Sequence, residues 1–241
     1  MKIMRANPTQ LFAWGPFTIR RIRPGEIDPA ASDRAFGPLA VIDHMQIESG
    51  SQIAMHQHVN DEILHYIWRG SMVHENQQGE RIPLSAKKLM LMNAGRGVWH
   101  QESTPLVSAE MLQVVIRPDE ADKEGGVQFM VRPDGISVGE WTLLAGPDNG
   151  APLALRQNLF VYDIQLLAQS TTEAPYRPGM AQWLYVAEGE ITLGGEQLEK
   201  GDAVSASQPL PPLSASRDAI LVCFQVDLAA KATRAGHIGG Q

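Results

Sequence analysis

Residues 92–102 read MNAGRGVWHQE, and together with residues 56–58, which read HQH, they decide how the chain folds and what it binds. In a β-strand, residues i and i+2 point to the same face. His56 and His58 therefore share one face of a strand, and His100 and Glu102 share one face of another. If the two strands face each other across a small barrel, three imidazoles and one carboxylate converge on one point.

This donor set suits one divalent ion. Imidazole is the usual nitrogen ligand of iron, copper, nickel and zinc, and a carboxylate balances part of the charge. Four protein ligands on a six-coordinate ion leave positions open for a substrate or oxygen. We expect one metal ion bound by His56, His58, His100 and Glu102, with Fe(II) as the preferred ion and copper, nickel, manganese or zinc as alternatives.

The composition describes a globular protein that can bury a core. The chain has 241 residues, 44% of them hydrophobic, which allows one large all-β domain or two ordinary ones. Its formal charge of −7 and the absence of a basic stripe argue against direct binding to nucleic acid. The single cysteine, Cys223, excludes an intrachain disulfide, and residues 1–7 lack the apolar core of a signal peptide. We therefore expect a cytoplasmic protein with no membrane span.

The pattern along the chain predicts an all-β fold. Strand-like runs separated by turn residues occupy residues 17–22, 39–45, 62–68, 71–75, 88–92, 111–116, 141–144, 159–167, 182–186, 190–193, 203–205 and 220–226. Residues 62–75 and 182–193 repeat one theme, which we interpret as a strand, a glycine turn and a returning strand, and this suggests an internal duplication.

The chain divides most naturally at a charged, glycine-ended segment. Residues 118–126 are the best linker candidate, with a first domain at 1–117 and a second at 127–228. Residues 229–241 are small and polar, and we expect them to form a frayed tail.

The two histidine motifs resemble known sequence patterns. Gly50, His56, His58, Glu62 and Gly70 are spaced as in the first motif of the cupin superfamily, whose fold is a double-stranded β-helix or jelly-roll barrel. The Ala-Gly-Arg-Gly loop at residues 94–97, followed after two residues by His-x-Glu, resembles the pirin family of bicupins. The resemblance covers about residues 37–117. Residues 59–61 depart from the Arg-Gly-Phe that is common in the family, and residues 14–17 match its lead-in only loosely.

The resemblance implies two tandem cupin barrels with one metal. Carried over by position, the family's ligands are His56, His58, His100 and Glu102. The C-terminal cupin of pirins has lost its metal, and residues 127–228 of this chain contain no histidine. Some pirins show quercetin 2,3-dioxygenase activity, which implies a small aromatic, flavonol-like substrate. In that reaction Glu102 would accept the substrate's hydroxyl proton before the ring opens and carbon monoxide is released.

Two classes of function follow from the resemblance and stay open. The first is this metal-dependent dioxygenase. The second is a regulatory metalloprotein that binds a protein partner, because eukaryotic pirins act as transcription cofactors and bacterial relatives are linked to enzyme partners. A zinc-dependent isomerase, another cupin activity, is a weaker third. We expect a monomer, and no segment of the chain identifies a protein partner.

The remaining ionisable residues have lesser expected roles. Glu62 is either a further ligand or, as we favour, an acceptor that orients an imidazole. His65 has the opposite parity to His56 and His58, so it should face away from the metal. His74 fits a core position or one that supports a ligand. His44 could line a barrel mouth, and His237 should be solvated.

Overall fold

The computed structural model describes residues 1–147 and 150–241 and consists of strands and two short 3-10 helices. Within these residues, no helix is long and apolar enough to cross a membrane. The 3-10 helices are Pro8–Gln10 and Pro24–Ile27. The strands are β1 (Lys2–Met4), β2 (Leu11–Trp14), β3 (Phe17–Ile22), β4 (Leu39–Ile47), β5 (Ser51–His58), β6 (Glu62–Asn76), β7 (Arg81–Ser85), β8 (Lys88–Asn93), β9 (Val98–Thr104), β10 (Ala109–Ile116), β11 (Gly126–Val131), β12 (Thr142–Pro147), β13 (Leu153–Leu155), β14 (Leu159–Leu166), β15 (Thr171–Thr172), β16 (Ala181–Leu193), β17 (Glu196–Glu199), β18 (Ala203–Ala206) and β19 (Leu213–Val226).

The strands form two sheets, which we call the first and second units. The first has the order β11-β8-β7-β6-β10-β4-β3-β2, with β9 paired to β6 and β5 paired to β9. The second has the order β1-β18-β16-β19-β14-β12-β13, with β17 on β16 and β15 on β19. The prediction of an all-β chain with two tandem jelly-roll units is therefore confirmed, although the sheets are open and do not close into complete barrels.

Gly70 and Gly189 bend long strands and do not reverse the chain, so the predicted turns at these positions are wrong. β6 continues through Gly70 (φ +75°) and β16 through Gly189 (φ +82°). At each bend the pairing with the neighbouring strand shifts register, which is the signature of a β-bulge. The chain reverses instead at residues 76–80, where the amide of Gly79 donates to Asn76 O. The two equivalent bends support the inferred duplication.

Two strands cross the boundaries that the sequence suggested. β1, at the start of the chain, pairs with β18 of the second unit. β11 follows the predicted linker but pairs with β8 of the first unit. The domain limits remain a prediction, and this exchange ties the units together.

Residues 229–241 are anchored on the first unit, contrary to the expected frayed tail. The carboxylate of Asp61 accepts hydrogen bonds from the amides of Ile238 (2.8 Å) and Gly239 (3.0 Å). Arg117 Nε donates to Gly239 O at 2.6 Å. Composition alone suggested fraying because the tail has few apolar residues, but its backbone amides satisfy a buried carboxylate.

The core has an inner part within each unit and a shared part between them. Ile63 and Ile67 of β6 pack in the core of the first unit, whereas Leu64 and Tyr66 belong to the shared core. Trp183 of the second unit lies in that same shared core and is fully buried. Alternate residues of β6 thus pack in the core of the first unit and in the shared core, because successive side chains of a strand point to opposite faces.

Candidate metal centre

Three of the predicted ligands meet where β5 pairs with β9. The two strands run antiparallel, with His56 opposite His100 and His58 opposite Val98. The register shifts between Ile53 and His56, and this bulge aligns the two histidines. Ligand nitrogens of His56, His58 and His100 all lie within 4.8 Å of one another.

The nitrogens have the spacing and the protonation that a metal needs. His56 Nε2 lies 3.0 Å from His58 Nε2, and His56 Nδ1 donates to Ala54 O at 2.9 Å. That donation leaves the lone pair on His56 Nε2. Metal–nitrogen bonds of about 2.0–2.1 Å meeting at a right angle separate the two nitrogens by about 3 Å, so the observed spacing fits two neighbouring ligands of one ion.

His100 is buried between this pair and a fourth histidine. Its ring centroid lies 4.5 Å from that of His56 and 5.1 Å from that of His58. Its Nδ1 lies 3.1 Å from His74 Nδ1, and both residues are buried. Its Nε2 is buried without a hydrogen-bond partner among the described residues. A buried ring nitrogen without a partner is costly, and a metal ion at this point would satisfy it.

Glu102 is buried beside the three histidines but contacts a different one. Its Oε1 lies 2.7 Å from His65 Nδ1 and 4.0 Å from His100 Nδ1. It groups within 4.8 Å with His74 and His100, whereas His56 and His58 lie outside that group. As a metal ligand it remains a prediction, and its present contact is with His65.

Burial keeps the imidazoles of His58 and His100 neutral, and the imidazoles that face Glu102 keep its carboxyl charged. It lowers the pKa of His58 to about 4 and that of His100 to about 3, so both rings are neutral at pH 7 and can offer lone pairs. Burial alone would raise the pKa of Glu102, but the facing imidazoles, His65 foremost, outweigh it and hold that pKa well below its usual range. The donor set therefore fits a divalent cation.

His65 faces the centre, so the parity argument that turned it away is wrong. Parity was counted from His58 through residues 59–61, but the chain turns there, and Asn60 has a φ of +57°. Counted within β6 alone, His65 shares its face with Ile63 and Ile67, which pack inside the first unit. The turn at Asn60 was the signal in the sequence that could have revealed this placement.

Glu62 lies on the opposite face of β6, and its hydrogen-bond partners among the described residues are Asn93 and Arg156 and not an imidazole. It accepts hydrogen bonds from Asn93 Nδ2 at 2.5 Å and from the amide of Arg156 at 2.8 Å. Burial raises its pKa to about 7. Because β5 ends at His58 and β6 begins at Glu62, the parity that seemed to place both residues together does not hold. Glu62 connects the two units instead.

The other histidines have distinct places. His74 packs against His100, as expected for a residue that supports a ligand. His44 lies at the contact with the second unit, where Nδ1 is 2.8 Å from Tyr185 Oη and Nε2 is 2.9 Å from Glu110 Oε1. His237 is exposed on the anchored tail, and its amide donates to Val59 O, next to His58.

Two models of known protein families match the chain, one in each unit. Residues 16–116 match the family model described as Pirin, and residues 143–226 match the one described as Quercetinase C-terminal cupin domain. The chain belongs to the pirin family.

This pirin-family chain has relatives named for an enzymatic activity. It is 26% identical to quercetin 2,3-dioxygenase of Escherichia coli strain K12 over 205 residues, which cover 83% of this chain and 84% of the relative. Its fold is similar to the crystal structure of bacterial pirin YhhW from Escherichia coli in complex with nickel(II), with a TM-score of 0.79, 22% identity and coverage of 93% and 97%. It is also similar to a quercetin 2,3-dioxygenase from Acinetobacter baumannii, with a TM-score of 0.76, 18% identity and coverage of 95% and 87%. At these identities the solved structures establish the fold alone.

Proposed function

We propose that this chain is a metal-dependent oxidoreductase that opens a flavonol-like substrate with dioxygen, in the manner of a quercetin 2,3-dioxygenase. The observation that carries this proposal is the convergence of the ring nitrogens of His56, His58 and His100, with the charged carboxyl of Glu102 buried beside them. The relative from Escherichia coli named for that activity supports the choice of reaction.

The proposed ligands are His56, His58, His100 and Glu102, with Fe(II) as the preferred ion. When bound, the metal would supply a Lewis acid and open positions for the substrate's oxygens and dioxygen. The residues around it fix the ligands. Ala54 O accepts a hydrogen bond from His56 Nδ1, and His74 Nδ1 lies within hydrogen-bond distance of His100 Nδ1. Both contacts orient a ring so that its other nitrogen points into the centre.

Glu102 has two proposed roles, as a ligand and as the acceptor of the substrate's hydroxyl proton. Its low pKa favours the ligand role, because a carboxylate that is held ionised is a weak base. Glu102→Gln separates the two. Loss of the bound metal would identify a ligand, whereas retained metal with lost turnover would identify a proton acceptor.

The test is direct. Protein loaded separately with iron, nickel, copper and manganese is mixed with quercetin and oxygen, and carbon monoxide is measured. The protein should release carbon monoxide, His56→Ala should not, and His237→Ala, which changes an exposed histidine, should behave like the unaltered chain. If no metal yields carbon monoxide above the His56→Ala background, the enzyme proposal is wrong. A chain that binds metal without turnover would be the regulatory metalloprotein that the family resemblance also implies.

A further inference from the structure

A groove lies at the rim of the contact between the two units, on the far side of the first sheet from the metal centre. Met45 and Ile47 of β4 pack inside the first unit, so the alternate residues His44 and Gln46 point to the opposite face. Arg20 and Thr18 of β3 are their direct cross-strand partners. These four residues line the groove together with Leu11 of β2 and Lys200 of the second unit.

The lining of this groove is cationic. It includes Arg20 and Lys200, and no carboxylate among the residues that the structure describes there. The positive charge of Lys200 is balanced by two ion pairs, because its Nζ lies 2.5 Å from Glu110 Oε1 and 2.9 Å from Glu188 Oε2. The guanidinium of Arg20 has no carboxylate within 4.0 Å in the described parts of the chain, and its hydrogen-bond partner is the hydroxyl of Tyr185.

Arg20 is also short of a hydrogen-bond acceptor. Its Nε is buried and has no hydrogen-bond partner among the described residues. Leaving such a buried donor unsatisfied is destabilising. The guanidinium packs directly over Gly201, where an added Cβ would lie 1.8 Å from Arg20 Nη1. The side chain is therefore seated in a space that only glycine leaves open.

The neighbouring histidine cannot supply the missing acceptor. A charged carboxylate accepts hydrogen bonds only, so His44 Nε2 donates to Glu110 and His44 Nδ1 accepts from the hydroxyl of Tyr185. Both ring nitrogens of His44 are thus used. What the groove still offers is the Arg20 guanidinium, the Lys200 ammonium and the hydroxyl of Thr18.

We propose that this groove binds a small organic carboxylate. The planar fork of arginine matches a carboxylate with two parallel hydrogen bonds. Leu11, at the mouth of the groove, is 47% exposed and provides an apolar surface for the rest of the ligand. Ligand sites commonly form at the contact between two domains. The site is independent of the metal and of the proposed oxidoreductase activity.

The proposal is tested with benzoate as the probe and the full-length chain stripped of metal by a chelator. Binding is followed by saturation-transfer NMR and calorimetric titration. Arg20→Gln removes the guanidinium that would bind the carboxylate. Leu11→Glu places a negative charge at the opening of the groove without altering the core. Leu106→Glu is the matched control, since Leu106 is 85% exposed and does not line the groove. His56→Ala removes the alternative of a carboxylate bound at the metal centre.

Benzoate should bind the unaltered chain, Leu106→Glu and His56→Ala with equal affinity. Arg20→Gln and Leu11→Glu should each weaken it tenfold or more, as loss of a charge-assisted contact predicts. Acetate, which lacks the ring, and inorganic phosphate should bind more weakly than benzoate. The proposal is overturned if millimolar benzoate does not bind, if it binds Leu11→Glu and Arg20→Gln as tightly as the unaltered chain, or if phosphate binds as well as benzoate.

Discussion

His65 contacts Glu102 through Nδ1 at 2.7 Å, and both side chains are almost fully buried. A partner that orients a metal ligand typically contributes about 10–100-fold to metal affinity. We expect His65→Ala to weaken nickel or iron binding by about that factor in a competition assay with a chelator, and His65→Asn, whose amide nitrogen takes the place of Nδ1, to weaken it less. His237→Ala is the control and should bind normally. A folded His65→Ala protein with unchanged affinity would show that the contact does not support the centre.

Glu62, a buried carboxyl outside the metal centre, makes the free energy of unfolding depend on pH. Burial raises its pKa from 4.5 to about 7. Because the folded value is the higher one, the associated stabilisation is complete below about pH 4.5 and is lost as the pH rises through 7. Relative to Glu62→Gln, which stays neutral, the chain should lose about 2–4 kcal/mol between pH 4.5 and 8. Denaturant unfolding of both proteins in chelator measures this, and parallel pH curves would contradict it.

At the scale of the strand, Gly70 and Gly189 allow β6 and β16 to bend where the backbone of a neighbouring segment approaches. An added Cβ at Gly70 would lie 1.8 Å from Ser108 O, and one at Gly189 would lie 2.0 Å from Asp218 O. Gly79 has a similar φ of +80° but open space around it. Gly79→Ala should therefore cost about 1–2 kcal/mol through the backbone alone. Gly70→Ala and Gly189→Ala should cost roughly 1–3 kcal/mol more through the clash. Denaturant unfolding of the three variants gives the comparison, and equal losses would refute the close approach.

Strand periodicity predicted individual elements well and their connections poorly. β3 was predicted with its observed limits, because the run 17–22 alternates and ends at turn residues. The two histidine motifs were expected to converge from strands that face each other across a barrel, but β5 and β9 pair directly as antiparallel neighbours, with His56 opposite His100. The inward position of His65 was missed because parity does not survive the turn at Asn60. The bulge at Gly70 was missed for a related reason, because a positive φ occurs in bends as well as in reversals.

At the scale of the whole molecule, the local sequence pattern could not predict which distant strands pair with each other. β1 has three residues and β11 follows a charged segment, so nothing nearby in the sequence shows which unit each one joins. Their exchange is decided by the free edges of β18 and β8. Residues 229–241 are similar, because their partners Asp61 and Arg117 lie more than a hundred residues away in the chain.

The exchanged strands and the shared core should make the two units unfold together. Tyr66 of the first unit and Trp183 of the second are fully buried in the same core, so opening one unit exposes the apolar surface of the other. A metal bound only in the first unit should then protect both. At a free nickel concentration 100 times the dissociation constant, the free energy of unfolding should rise by about 2.7 kcal/mol.

Hydrogen exchange measured by mass spectrometry reads this out strand by strand. Peptides from β6 and from β16 and β19 should gain equal protection when nickel is added, because each exchanges through the same global opening. His56→Ala, which removes a proposed ligand, should abolish the gain in all of them. Protection confined to β5, β6 and β9 would mean that the second unit opens independently, and that the shared core does not couple it to the metal centre.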